Sequence, residues 1–195
     1  MDVNTKNSHE LLESVSDRIR CNVASCVEAY ASIRWKKVSF TVPKAPEPSH
    51  RPRLCGYRVY VPGAAKNATF FNNNVLPTLK GLFITTPCKF KLDIYVETPK
   101  SFTKTQQILA EMKILRPWGN IGDIDNFEKA MYDMIQPNEK RGHVGIMSND
   151  SLIIESHTNK YYSCSPRYEL TISYMGKIPV SLIKTLRLKG DEEID

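Results

Sequence analysis

The sequence predicts an α+β fold: a small mixed or antiparallel sheet with helices packed on it, plus an extra helix at the N-terminus. Three observations carry this. Phe90, Leu92, Ile94 and Val96 alternate with Lys91, Asp93 and Tyr95, which is the period-two pattern of a half-buried strand. Ile124, Phe127, Ala130, Met131, Met134 and Ile135 recur instead at helical spacing and share one apolar face. Leu12, Val15, Ile19, Val23, Cys26, Val27 and Tyr30 do the same ahead of the first strand.

Taken in order, the polar first residues should fray, and the first apolar stripe predicts a helix over about 8–32. That stripe packs on the body of the domain or, on a sharper reading, docks on a partner chain. Residues 35–42 read as a strand with Val38, Phe40 and Val42 on one side; Pro43, Pro46, Pro48 and Pro52 then impose an extended loop. Within that loop His50-Arg51-Pro52-Arg53 puts two guanidinium groups on a stiffened backbone, which suits either a phosphate clamp or a solvated basic loop. Residues 57–61 fit a second strand, and 64–79 carry a weak helical pattern. Residues 82–86 and 90–97 read as strands forming a hairpin or sheet edge, followed by a loop and short helix within 98–112.

The helix that begins near Asp125 should stop near Gln136, before Pro137. A short apolar stretch follows at 144–147. A strand over 152–160 is expected to pair antiparallel with 168–174 across the turn Ser163-Cys164-Ser165-Pro166. Residues 179–188 form an apolar and basic segment, and the acidic terminus should be disordered.

Composition narrows the class. The chain has 195 residues with 41% hydrophobic content, which is enough for one large domain, or one domain with an appendage. Its net charge of +6 is unevenly spread: residues 38–120 hold twelve basic and four acidic side chains, whereas 121–195 hold nine basic and twelve acidic. A basic middle suits phosphate, and an acidic end suits cations. Five cysteines with no C-x-x-C pair read as reduced intracellular thiols, and the four histidines have no metal-ligand spacing. No stretch approaches the length of a membrane span, so a cytoplasmic protein is expected, in which the sequon Asn67-Ala68-Thr69 carries no meaning.

The chemistry concentrates at Asp123-Ile124-Asp125-Asn126-Phe127-Glu128-Lys129. Two carboxylates one residue apart at a helix start can converge on a hard cation such as Mg²⁺, while Asp125, Lys129 and Asp133 form a stripe at i, i+4 and i+8. The same residues also suit an N-cap, a first turn matched to the helix dipole, and surface pairs contributing about 0.2–0.5 kcal/mol each. A third acid, Asp150, precedes the strand over 152–160.

With that acid included, Asp123-x-Asp125-Asn126-x-x-Lys129-x-x-x-Asp133, then Asn149-Asp150-Ser151-x-Ile153, Lys160-Tyr161 and Glu169-Leu170-Thr171-Ile172 resemble the RusA family of Holliday junction resolvases. The Pro-rich loop with Arg51-Pro52-Arg53 resembles that family's N-terminal part. The resemblance covers 38–176, with 1–37 as a helical extension and 177–195 as a tail. It implies that Asp123, Asp125 and Asp150 bind Mg²⁺, with Mn²⁺ as a substitute, and that Lys129 is the catalytic lysine. Asp133 is a candidate for orienting that lysine, and Arg51, Arg53 and Lys160 are candidates for DNA contact. It also implies a homodimer nicking the two strands of a four-way junction in a bacterial or phage-infected cell, during DNA recombination, repair or replication.

Two positions depart from the family pattern: Gly122 stands where a basic residue or proline is usual, and Asn149 where an acid is usual. Weaker metal binding, an altered rate or an altered junction preference would follow from them. The alternative reading is a non-catalytic branched-DNA-binding protein with a degenerate site. A further one is a structural module in which the acids are only caps.

Overall fold

The computed structural model describes residues 10, 12–50, 53–55, 57–60, 62–119 and 121–186. They form two compact units, one spanning Lys36–Tyr174 and the other combining Met1–Trp35 with Met175–Asp195. The fold is α+β, as the sequence predicts.

In the smaller unit, helix α1 (Asp17–Ala31) and helix α5 (Val180–Leu186) meet around Ile33, Met175 and Leu182, with Cys26, Ala29 and Ile178 against them. The sequence predicted one helix from about Ser8. The described residues are helical at 10, 12 and 13 and again from Asp17, the two stretches being separated at Ser16, which is extended at φ −63°, ψ 154°. Ser14 and Ser16 flank the break, and serine favours such breaks by competing for backbone hydrogen bonds. Ile19, Val23, Val27 and Tyr30 of the apolar stripe are exposed.

The larger unit contains β1 (Trp35–Val42), a small hairpin of β2 (Arg53–Cys55) and β3 (Arg58–Tyr60), and helix α2 (Ala64–Asn74). It continues through β4 (Cys88–Glu97), α3 (Lys104–Glu111), α4 (Ile124–Ile135), β5 (Ile153–Ser163) and β6 (Arg167–Met175). The main sheet runs β1-β6-β4-β5, with β4 antiparallel to β6 and parallel to β5. The expected β5/β6 hairpin therefore does not form. β4 lies between the two, so that its apolar residues are flanked on both sides, and the parallel β4/β5 pair is joined by the long crossover that carries α3 and α4.

Cys88, Phe90, Leu92, Ile94 and Val96 bury one face of β4 in a single core with Phe127, Met131, Met134 and Ile135 of α4 and Phe71 of α2. Burial pushes the Cys88 thiol up to about 11, and the thiol donates to Met147 Sδ at 3.7 Å. The expected strand over 82–86 is reduced to one parallel bridge between Ile84 and Met147, held by Ile84 N–H to Ile146 O at 2.8 Å and Ser148 N–H to Ile84 O at 3.0 Å. The Pro-rich segment is pinned twice: Ser49 N–H donates to Asn126 O at 2.9 Å, and the Tyr168 hydroxyl accepts from Glu47 N–H at 3.1 Å. The segment thus lies against the start of α4.

Candidate active site

Helix α4 forms because its five buried residues, Phe127, Ala130, Met131, Met134 and Ile135, line up on the core side. Asp123 is its N-cap, extended at φ −78° and ψ 150°, yet its carboxylate caps no helix N–H. Asp125 sits in the first turn, and Lys129 follows one turn later; all three are exposed. Among the described residues none of them makes an ion pair, so neither the side-chain cap nor the Asp125–Lys129 surface pair is formed. These charges are left available to a ligand.

The residue before them is built for close approach. Gly122 has φ +105°, and a Cβ there would come within 3.2 Å of both the Phe127 ring and Pro48 Cγ. Proline is excluded because its φ is fixed near −65°, and a basic side chain would have to start inside that contact. Lys160 of β5 instead brings its ammonium to this point, with Nζ 2.6 Å from Gly122 O and 5.9 Å from the Phe127 ring centroid.

β5 also meets α4 through a residue that the sequence reading passed over. Glu128 accepts hydrogen bonds from Thr158 Oγ1 and, at 2.9 Å, from Ser156 Oγ. The Tyr132 hydroxyl lies 3.3 Å from the same Ser156 Oγ. Asp125, Glu128 and Tyr132, spaced i, i+3 and i+7, share the helix face that meets β5. The signal that could have found Glu128 is the polar run Ser156, Thr158 and Lys160 on alternate positions of one strand.

Asp150 opens a short 3-10 turn, Asp150–Leu152, capped by Asn149, whose Oδ1 accepts from Ser151 N–H at 2.8 Å. Asn149 thus holds the turn that presents Asp150. Desolvation pushes the Tyr132 phenol up against an opposing hydrogen bond with Ser156, and the negative charges of Glu128 and Asp150 add to the rise. Asp133 faces elsewhere, lining a small cavity with Glu47, Ser49 and His50 of the Pro-rich segment and Asn67 of α2. Arg53 begins β2 and is exposed, whereas Arg51 lies outside the described residues.

Among the described residues no three His, Cys, Asp or Glu side chains form a group that could hold a metal ion, so the structure does not gather Asp123, Asp125 and Asp150 into one cage. The donor chemistry still suits Mg²⁺, a hard cation that keeps several waters and is commonly held by one or two carboxylates together with substrate phosphates. Asp123 and Asp125 supply two exposed carboxylates of that kind. No helix among the described residues is long and apolar enough to cross a membrane.

The chain is 29% identical over 142 residues to the uncharacterized protein YqaN of Bacillus subtilis (strain 168), an alignment covering 69% of this chain and 94% of YqaN. Residues 43–173 match the family described as Endodeoxyribonuclease RusA, a span that contains the acid pair, Lys129, the Asp150 turn and the whole of β4 and β5. The chain belongs to the RusA family of endodeoxyribonucleases.

Proposed function

We propose that the protein is a Mg²⁺-dependent, structure-selective endodeoxyribonuclease that resolves Holliday junctions and other branched DNA by paired phosphodiester hydrolysis, acting as a homodimer. The observation that carries this reading is the pair of exposed acids Asp123 and Asp125 at the start of α4, uncapped and without ion pairs among the described residues, inside the matched family region.

In this reading Asp123 and Asp125 would hold the metal, with Asp150, on the turn that precedes β5, as the third acid. Bound Mg²⁺ supplies Lewis-acid polarisation of the phosphoryl oxygen and a water activated near neutral pH. Lys129, one turn beyond Asp125, meets negative charge as it grows on the phosphorane. Its ammonium is a compact point charge, suited to an oxyanion whose position changes during displacement. Arg51 and Arg53 supply contacts to the DNA backbone, which position the duplex without reading its sequence. A two-fold dimer presents two such centres to the two strands that must be nicked symmetrically.

The test is cleavage of a labelled mobile four-way junction beside linear duplex, with Mg²⁺ or with chelator. Paired nicks confined to the junction and abolished by chelator support the reading. Tight junction binding with no cleavage across Mg²⁺ and Mn²⁺ rejects it in favour of a binding protein.

A further inference from the structure

Resting on the nuclease reading of the site, we infer that Glu128 is a positioning residue: with Lys160 it clasps the acid-bearing start of α4 to β5 and so fixes where Asp123 and Asp125 stand relative to the Asp150 turn. Three side chains on alternate positions of one strand reach α4 and the residue before its N-cap. Ser156 meets Tyr132 and Glu128, Thr158 meets Glu128, and Lys160 meets Gly122. The strand and the helix are therefore tied along the segment that bears the acids.

Each tie has a specific consequence. The Glu128 carboxylate accepts two hydroxyl hydrogen bonds from β5, and such charge-assisted bonds are stronger than neutral ones. Asp125 lies three residues before Glu128 on the same face, so fixing one fixes the other. The Gly122 carbonyl that receives the Lys160 ammonium belongs to the planar peptide whose nitrogen is that of Asp123. Holding this peptide sets the direction from which Asp123 leaves the backbone. On the other side, β5 follows directly on Asp150–Leu152, so the strand that carries the clasp is continuous with the turn that carries the third acid. Elsewhere α4 is held by apolar core contacts and by hydrogen bonds at Asn126, Met134 and Ile135 to other segments, none of which lies in β5, so the register of its acid-bearing end against β5 rests on the Glu128, Tyr132 and Lys160 ties. Catalytic geometry is sensitive at this scale, since a misplacement on the order of 1 Å costs about a hundredfold in rate.

The full-length protein is compared with Glu128→Ala, Glu128→Gln, which keeps an acceptor oxygen for the two hydroxyls, and Thr158→Val, which keeps the strand residue's shape. Three quantities are read: the single-turnover rate on prebound four-way junction, the junction Kd in chelator, and Mn²⁺ affinity by electron paramagnetic resonance. Glu128→Ala and Thr158→Val are expected to cleave prebound junction about tenfold or more slowly, with Kd changed by no more than about twofold, because the lost interaction orients the centre rather than binding DNA. Mn²⁺ affinity falls alongside the rate, and Glu128→Gln restores most of both.

Glu128→Ala cleaving as fast as wild type overturns the inference, as does Glu128→Gln remaining as slow as Glu128→Ala. Should Glu128→Ala fail to fold, Thr158→Val decides on the same criteria. If the wild type neither cuts nor binds Mn²⁺, the nuclease reading fails separately. The clasp is then judged by amide hydrogen exchange over 123–129: faster exchange in Thr158→Val supports it, and unchanged exchange overturns it.

Discussion

Pro48 stands so close to Gly122 that a Cβ on the glycine would come within 3.2 Å of Pro48 Cγ. The contact joins the Pro-rich segment to the residue just before the acid pair, beside the Ser49–Asn126 hydrogen bond. Gly122→Ala combines this crowding with φ +105°, a conformation that L side chains resist. It should lower stability by about 1–3 kcal/mol, measured by urea denaturation with an unchanged m-value.

Gly145 is more restrictive. At φ +66°, a Cβ there would sit 2.6 Å from Ile135 O, Gln136 C and Pro137 N, all backbone atoms that cannot swing aside. The neighbouring Ile146 N–H donates to Ile135 O at 2.7 Å, so the turn closes directly on the C-terminus of α4. Gly145→Ala should cost about 2–4 kcal/mol, more than Gly122→Ala in the same denaturation series.

His143 is buried and bridges two elements, with Nε2 2.6 Å from Met134 O and Nδ1 2.8 Å from Asn72 Oδ1. His143→Phe retains a ring but leaves the Met134 carbonyl without this partner. A loss of about 1–3 kcal/mol is expected, read as a lower thermal midpoint.

Glu111 gives a pH dependence of known sign. The Cys164 backbone N–H donates to its Oε1 at 2.6 Å, and this bond, against a smaller desolvation cost, holds its carboxyl below the ordinary 4.5. A folded-state value below the unfolded one gives stability that is present above the unfolded pKa and lost as pH falls through the folded value. Glu111→Gln should therefore have a lower thermal midpoint than wild type at pH 7, and the gap should close as both are titrated below pH 4.5.

The fold was legible where one element's own pattern decides it. The α4 stripe names all five residues that the helix buries, though it also includes Ile124, which is exposed in the first turn, and the alternation of β4 gives its inward face. Strand partnership was not legible, because periodicity says which face of a strand is buried but not which strand lies beside it. The short turn at 163–166 suggested a β5/β6 hairpin, yet β4, far earlier in the chain, separates the two. The acids of the site were visible as residues, since D-x-D at a helix start is a local pattern. Glu128 was not, because it lies off the Asp125, Lys129, Asp133 stripe and its meaning depends on Ser156 and Thr158, about thirty residues later. The significance of Gly122 likewise depends on Pro48 and Lys160, which only the tertiary fold brings to it.

The proposed nuclease depends on the exposed acid pair at the start of α4 for phosphodiester hydrolysis. The most direct measurement compares wild type with Asp125→Asn for Mg²⁺-dependent nicking of prebound four-way junction, with thermal midpoint and junction Kd recorded for both. Asp125 makes no ion pair among the described residues, so the variant should keep the wild-type midpoint and junction affinity while its cleavage falls by at least about a thousandfold. Asp125→Asn nicking the junction at the wild-type rate, with folding and metal matched, would show that Asp125 is not part of the hydrolytic centre.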